Sequence, residues 1–359
     1  MDDSENFDAS SARLYTSIQN EFSCANDGSI RDSAGQSWYI WRMVDFQRWW
    51  HAFENIAEVP LGRKLMNAAA DQEEFLFEQS SFFNTGRWMK KTRLKSSISK
   101  RWDVMGWGRY EISSHSIYSH LLAPLCSGFA LAAVEGLNSE RKKVQWRQLS
   151  NVQIKLELEK DSRSISQAPH PPQFPWDSNA NPPLLIEPNA VKIDFQKVEH
   201  GWTHSGERTC FLPSGLFQRL FDYVRMQGLV LRPDILAAWE LPKDADFSTW
   251  VPLILSSLAV DEVISQSERP IYIQDIDSWK QLTDVYLRPF GFGTFHNIIS
   301  LDEQGGVEFE IPSSPNLPFT VGFLSSFWQR GFGRKPMVKL EKKNQHWHLQ
   351  ITSFLSYSA

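Results

Sequence analysis

At 359 residues the chain exceeds one ordinary hydrophobic core, and its 42% hydrophobic and 22% charged content is that of a globular protein, not a disordered or fibrous one. A net charge of −5 gives no overall attraction to nucleic acid or anionic lipid, so any such contact has to come from a local patch. Three scattered cysteines, Cys24, Cys126 and Cys210, exclude a disulfide framework and an all-cysteine zinc site and fit a reduced cytoplasm.

Residues 1–30 open with an acidic segment that lacks the basic start and apolar run of a secretory signal, and they read as disordered to partly helical. An extended piece, "WYIWRM", leads into a helix whose Phe46, Trp49, Trp50 and Phe53 follow the i, i+3, i+4, i+7 spacing of a buried face. Further helices follow, among them the basic, amphipathic "GRWMKKTRLKSSISKRWDVM". Its Lys90, Lys91, Arg93 and Lys95 are candidates for docking an acidic partner, although Asp71, Glu73, Glu74 and Glu78 just upstream favour a neutralised, solvated helix face. Then come the corner "GWG" at Gly106, the run "PLCSGFALAAVEGL" at residues 124–137, and two strands with period-2 patterning, "KVQWRQL" and "VQIKLELE". The longest apolar runs, "LLAPLCSGFALAAV" and "WVPLILSSLAV", fall short of the ~20 residues of a membrane span, so no transmembrane segment is expected.

Residues 161–189, rich in Pro, Ser and Asn, read as a linker between a first unit at 31–160 and a second at 190–359. The units share three motifs in the same order. Gly35 with "FQR" at Phe46–Arg48 matches Gly206 with "FQR" at Phe217–Arg219; "GWG" at Gly106 matches "GFG" at Gly291; "PLCSGFAL" at Pro124 matches "PFTVGFLS" at Pro318. The expectation is a tandem duplication of an α+β unit, each copy a helical layer on a small twisted antiparallel sheet, with the copies packed as an internal pseudo-dimer.

Helices, then "GWGRYEI" and a hairpin, then "PLCSGFALAAVEGL", then paired strands, resemble the 4-vinyl reductase domain over about Arg48–Glu159 and again from Phe217 to Ser353. That domain is related to the core subunits of TRAPP tethering complexes and to aromatic-responsive bacterial sensors. The resemblance implies a frequently dimeric fold with an apolar pocket between helices and sheet. The sensors' cysteine-rich zinc site is missing, because "KVQWRQLSNVQIKLELE" and "MVKLEKKNQHWHLQITS" hold no cysteine. Three functions follow from it: a non-enzymatic module holding a hydrophobic or aromatic small molecule and acting in regulation, a TRAPP-like protein-interaction scaffold, or a tetrapyrrole vinyl reductase. The first is preferred. The third has no support in the residues, since no dinucleotide fingerprint follows a strand.

Each residue with chemical potential also has a structural reading. Cys126 at a helix start suggests a reactive thiol, but Thr320 replaces it in the second copy, and an inert buried cysteine is favoured. Gly128 and Gly322 precede Phe rather than the Lys-Ser/Thr of a phosphate loop and read as positions of close helix-to-sheet packing. Trp49, Trp107, Phe129, Phe292 and Phe323 are the candidate ligand-binding aromatics, each equally readable as core. Arg48 and Arg219 read as a helix surface or a pair for an internal carboxylate. His346 and His348 share a strand face but have no third ligand in view, so no metal and no cofactor are expected.

Overall fold

The computed structural model describes residues 3–79, 90–177, 191–243, 246–267 and 270–355. Helices packed on antiparallel sheets make the chain an α+β protein. Two three-stranded meanders lie at its centre. One is β1 (Phe22–Cys24), β2 (Ile30–Asp32) and β3 (Ser37–Arg42); the other is β8 (Phe195–Val198), β9 (Gly201–His204) and β10 (Glu207–Pro213). They join edge to edge into one six-stranded antiparallel sheet, in the order β1-β2-β3-β10-β9-β8. In the joining pair Ile40 faces Phe211, Trp41 faces Cys210 and Tyr39 faces Leu212. The offset that aligns Gly35 with Gly206 also aligns Ile40 with Phe211, so this register maps onto itself about that central pair.

Both strands of the joining pair run straight into helices, β3 into α2 (Met43–Ala57) and β10 into α6 (Ser214–Met226). Each helix packs across the seam: α2 lies on α8 (Val251–Ser265) of the second half, and α6 on α3 (Gly62–Gln79) of the first. Outside them sit two further sheets. In the first half β4 (Arg109–Glu111), β5 (Ser116–Tyr118), β6 (Lys142–Gln148) and β7 (Gln153–Lys160) take the order β4-β5-β7-β6, with α5 (Ala123–Asn138) between the hairpins. In the second half β12 (Asn297–Ser300), β13 (Val307–Pro312), β14 (Pro336–Lys343) and β15 (His346–Ser353) take the order β12-β13-β15-β14 around α10 (Leu317–Phe332). There β11 (Trp239–Glu240), which follows α7 (Pro233–Leu236), adds a parallel strand beside β14. The outer helices are α4 (Lys90–Met105) and α9 (Ile276–Tyr286).

The run at 124–137 is α5, buried from Leu125 to Glu135. A Cβ on Gly128 would stand 2.3 Å from the Met66 carbonyl oxygen on α3, and one on Gly322 of α10 would stand 2.9 Å from Ser257 Cα on α8. Both glycines therefore permit helices to touch backbone to backbone, and a helix replaces the sheet expected as their partner. Phe247–Ser265 is the one helical span among the described residues long and apolar enough to cross a membrane, but 72% of that window is buried inside the protein. Its packing against α2, α6 and α10 accounts for its apolarity. The corner glycines Gly106 and Gly291 have φ of 74° and 80°, which L side chains rarely adopt. Each corner is seated on the opposite meander, where a Cβ would meet the Thr209 carbonyl at 2.6 Å or the Trp38 carbonyl at 2.4 Å.

One sequence expectation, a partly helical N-terminus, is met over most of its length, and another meets a different arrangement. The N-terminal segment forms α1 (Asp3–Glu21), because Leu14 and Ile18 bury against the sheet edge at β8 and Gln19 exchanges hydrogen bonds with Val191 in both directions. The expected linker is, over residues 161–177, a strap tied to the core; residues 178–189 lie outside the described ones. Phe174 and Trp176 are buried and stacked at 4.6 Å, and Trp176 lies 5.6 Å from Trp250. Arg219 donates to the Pro169 carbonyl at 2.5 Å, and Asp177 accepts from the Phe174 amide and the Gln218 side chain.

Gly128→Ala is expected to destabilise by about 1–3 kcal/mol through overpacking, measured as a lowered urea midpoint, whereas Gly35→Ala, with nothing within 4 Å, bears only the ~1–2 kcal/mol of its positive φ. Burial pushes the Asp177 carboxyl from 3.8 up to about 6, so the fold favours its protonated form. That contribution is complete below pH 3.8 and is lost as the pH rises through 6. Relative to wild type, Asp177→Asn is therefore expected to gain about 2 kcal/mol between pH 4 and pH 7. Identical pH dependence of the two proteins in urea denaturation would refute this.

Candidate ligand cleft

Where β3 hands over to α2, the chain places Ile40, Trp41, Arg42 and Asp45 along one wall of a cleft of about 310 Å3. The β9–β10 turn adds His204, Ser205 and Glu207; the end of α8 adds Val263, Ile264 and Ser267; the end of α9 and the glycine corner add Tyr286, Phe290 and Phe292; and α10 adds Phe323. The cleft therefore straddles the seam between the halves. Its floor is aromatic and aliphatic, and its charged groups gather on one side. Arg42 bonds Asp45 at 2.5 Å, and Lys192 stands exposed at the rim. Burial raises the Asp45 carboxyl against the opposing pull of Arg42 and Arg48. The Trp41 indole N–H and Asp45 Oδ1 are buried on this wall with no hydrogen-bond partner among the described residues. A buried donor without an acceptor is destabilising.

A larger groove of about 890 Å3 runs beside β11 and β14, lined by Leu236, Trp239, Phe247 and Trp250. It is open to solvent and borders residues 244–245, which lie outside the described ones. The smaller cleft, enclosed by five elements from both halves, has the walls of a binding site.

Of the five candidate aromatics, Phe292 and Phe323 line the cleft. The other three are core. Trp49 packs against Trp41, Phe53, Phe217 and Phe319 and donates to the Ser256 carbonyl at 3.3 Å. Trp107 stacks on Phe129 at 3.8 Å and donates to the Phe211 carbonyl across the seam at 2.8 Å. Lys91, Arg93 and Lys95 lie exposed on α4; Lys90 begins the same helix, and its side chain is outside the described set. Arg101 departs from that basic face. It is buried and bonds Glu73 through two hydrogen bonds, at 2.6 and 2.8 Å, with the rings of Trp38 and Trp107 at 5.4 and 5.3 Å. The sequence signal for this pair is a carboxylate on the apolar stripe of α3, between Ala69 and Leu76.

The other candidates resolve structurally. Cys126 is buried, bonds Ser119, and has its thiol pushed up to about 12 by burial, the opposite of an activated thiolate. Arg219 pairs with no carboxylate and is not on the surface: it holds the Gln72 amide and the Pro169 carbonyl. Arg48 stays half-exposed beside Asp45. His348 bonds Glu308 at 2.7 Å, and His346 lies 3.7 Å from Glu310. Among the described residues no group of three His, Cys, Asp or Glu side chains is placed to hold a metal. Comparison with protein-family models, with characterised proteins and with solved structures finds no match to this chain.

Arg101→Met alone removes both hydrogen bonds from a buried carboxylate and is expected to cost about 3–5 kcal/mol; the double variant Glu73→Leu/Arg101→Met is expected to recover most of that loss. A double-mutant cycle in urea measures it, and additive losses would contradict the pair's isolation from solvent.

Proposed function

We propose that this protein is a non-enzymatic binding module that holds a small hydrophobic or aromatic molecule in the cleft at the seam and acts in regulation. The observation that carries the reading is a cleft of about 310 Å3, at the lower end of ligand-site volumes, that opens at the surface between Lys192, Ser205 and Glu207 and reaches the buried Trp41, Phe292 and Phe323 of the aromatic core. The same proposal takes the two halves as divergent copies of one unit resembling the 4-vinyl reductase domain, packed as an internal pseudo-dimer. Its support is the self-mapping register of β3 with β10 and the common strand order of the outer sheets.

Native mass spectrometry of protein purified from its source, and calorimetric titration with coumarin, a planar uncharged probe, test this reading. Wild type is expected to bind one probe. Ile264→Trp, which fills the floor, is expected to weaken binding about tenfold or more with little change in melting temperature. Coumarin binding that is indifferent to Ile264→Trp would place the ligand elsewhere and overturn the reading.

A further inference from the structure

The cleft has a counterpart in the first half, and that counterpart is closed. Backbone hydrogen bonds set the correspondence: the Trp107 amide bonds the Trp102 carbonyl as the Phe292 amide bonds that of Leu287, and Gly106 bonds Asp103 as Gly291 bonds Arg288. The shift from 106 to 291, 185 residues, carries Arg101 onto Tyr286. On the opposite wall Gly128 rests on Met66 and Ala69 as Gly322 rests on Ser257 and Val260. The shift from 66 to 257, 191 residues, carries Glu73 onto Ile264. Tyr286 and Ile264 both line the open cleft, together with Phe292 and Phe323, the counterparts of Trp107 and Phe129.

The walls differ at most matching positions, with Ile40, Trp41, Arg42 and Asp45 answered by Phe211, Leu212, Pro213 and Leu216, but only the pair at 73 and 101 puts a buried ion pair where the other half has uncharged side chains. In the first half a guanidinium and a carboxylate reach toward each other, neutralise each other and fill the space between Trp38 and Trp107. In the second half a tyrosine and an isoleucine stand in the same places, make no such bond, and leave the cleft unfilled. We infer that the Glu73–Arg101 ion pair is a built-in occupant, taking in the first half the place that a bound molecule takes in the second. The chain consequently holds one ligand, and residues 264 and 286 keep its site open. With no charge at residues 264 and 286, the part of the ligand that meets them is uncharged, and any charged group it carries faces Arg42, Asp45, Lys192 or Glu207 elsewhere in the cleft. This inference rests on the ligand-binding reading above.

The test is reciprocal exchange, read by calorimetric titration with coumarin. Ile264→Glu/Tyr286→Arg transplants the ion pair into the second half; it is expected to keep the wild-type fold by circular dichroism and to weaken binding about tenfold or more. Glu73→Ile/Arg101→Tyr/Trp107→Phe removes the ion pair and gives the first half the open cleft's residues at three matching wall positions, and its stoichiometry is expected to rise from one coumarin to two. Wild type that binds none overturns both the function and this inference. Wild type that binds one, alongside a folded Ile264→Glu/Tyr286→Arg that binds equally well, overturns the built-in occupant and leaves the function standing. Should that variant fail to fold, the stoichiometry of the first-half variant decides: two supports the inference and one overturns it.

Discussion

The pairing of β3 with β10 is the constraint on which the remaining structure depends. Both strands are buried on both faces, so neither meander could leave that edge bare without stranding a row of backbone donors and acceptors in apolar surroundings. Once the strands pair, α2 and α6 leave neighbouring strands in opposite directions, and each meets a helix of the other half. The glycine corners follow the same crossing. Trp107 donates to Phe211, and Trp202 of the second meander donates to the Val104 carbonyl at 3.1 Å. The result is one continuous core, running from Leu14 to Ile351. The two halves are divisions of the sequence and do not have separate interiors.

Much of this was legible locally. The α+β class, the buried helix at 124–137, the packing role of Gly128 and Gly322, and the corners at Gly106 and Gly291 all follow from patterns within about ten residues, because spacing and glycine placement report the immediate surroundings. The seam was not legible. "WYIWRM" and "RTCFL" read as extended leads into helices, and nothing within either string says that they lie side by side, 171 residues apart. The strap misled for a different reason. Proline and serine are the composition of a linker, but two aromatics, Phe174 and Trp176, suffice to hold such a chain on the core once Trp250 and Phe221 are there to receive them.

The candidate site shows the same division. Phe292 and Phe323 were reachable because they follow motif glycines, while Trp107 and Phe129, chosen by the same rule, and Trp49, chosen from the spacing of its helix, lie in the core. An aromatic residue has equal reason to wall a cleft or to fill one, and only the packing around it distinguishes the two. Arg101 was obscured by its neighbours. In a run of lysines and arginines it reads as one more surface charge, although its position beside Trp102 puts it on the inner face of α4, where Glu73 is within reach. Charge pattern along a chain reports net charge well and the direction of a single side chain poorly.

An unfilled space in a core of this density persists only where the surrounding side chains are held by other contacts. Trp41 meets Phe46, Trp49, Phe217, Phe292 and Phe319, so its ring is pinned before any ligand arrives. Phe292 is held between Tyr39 and Phe323, and Tyr286 leans on Phe327. Arg42 is tied to Asp45, which keeps the cationic head away from the floor. On the proposed reading none of these groups has to be ordered on binding, which removes a main entropic penalty of association and leaves the shape of the cleft to select the molecule. Rigid aromatic walls also exclude collapse, the route by which most cores close such a gap. At the matching place in the first half Glu73 and Arg101 bond each other where the second half has Ile264 and Tyr286, and so corresponding elements enclose a sealed core on one side of the seam and a cleft on the other.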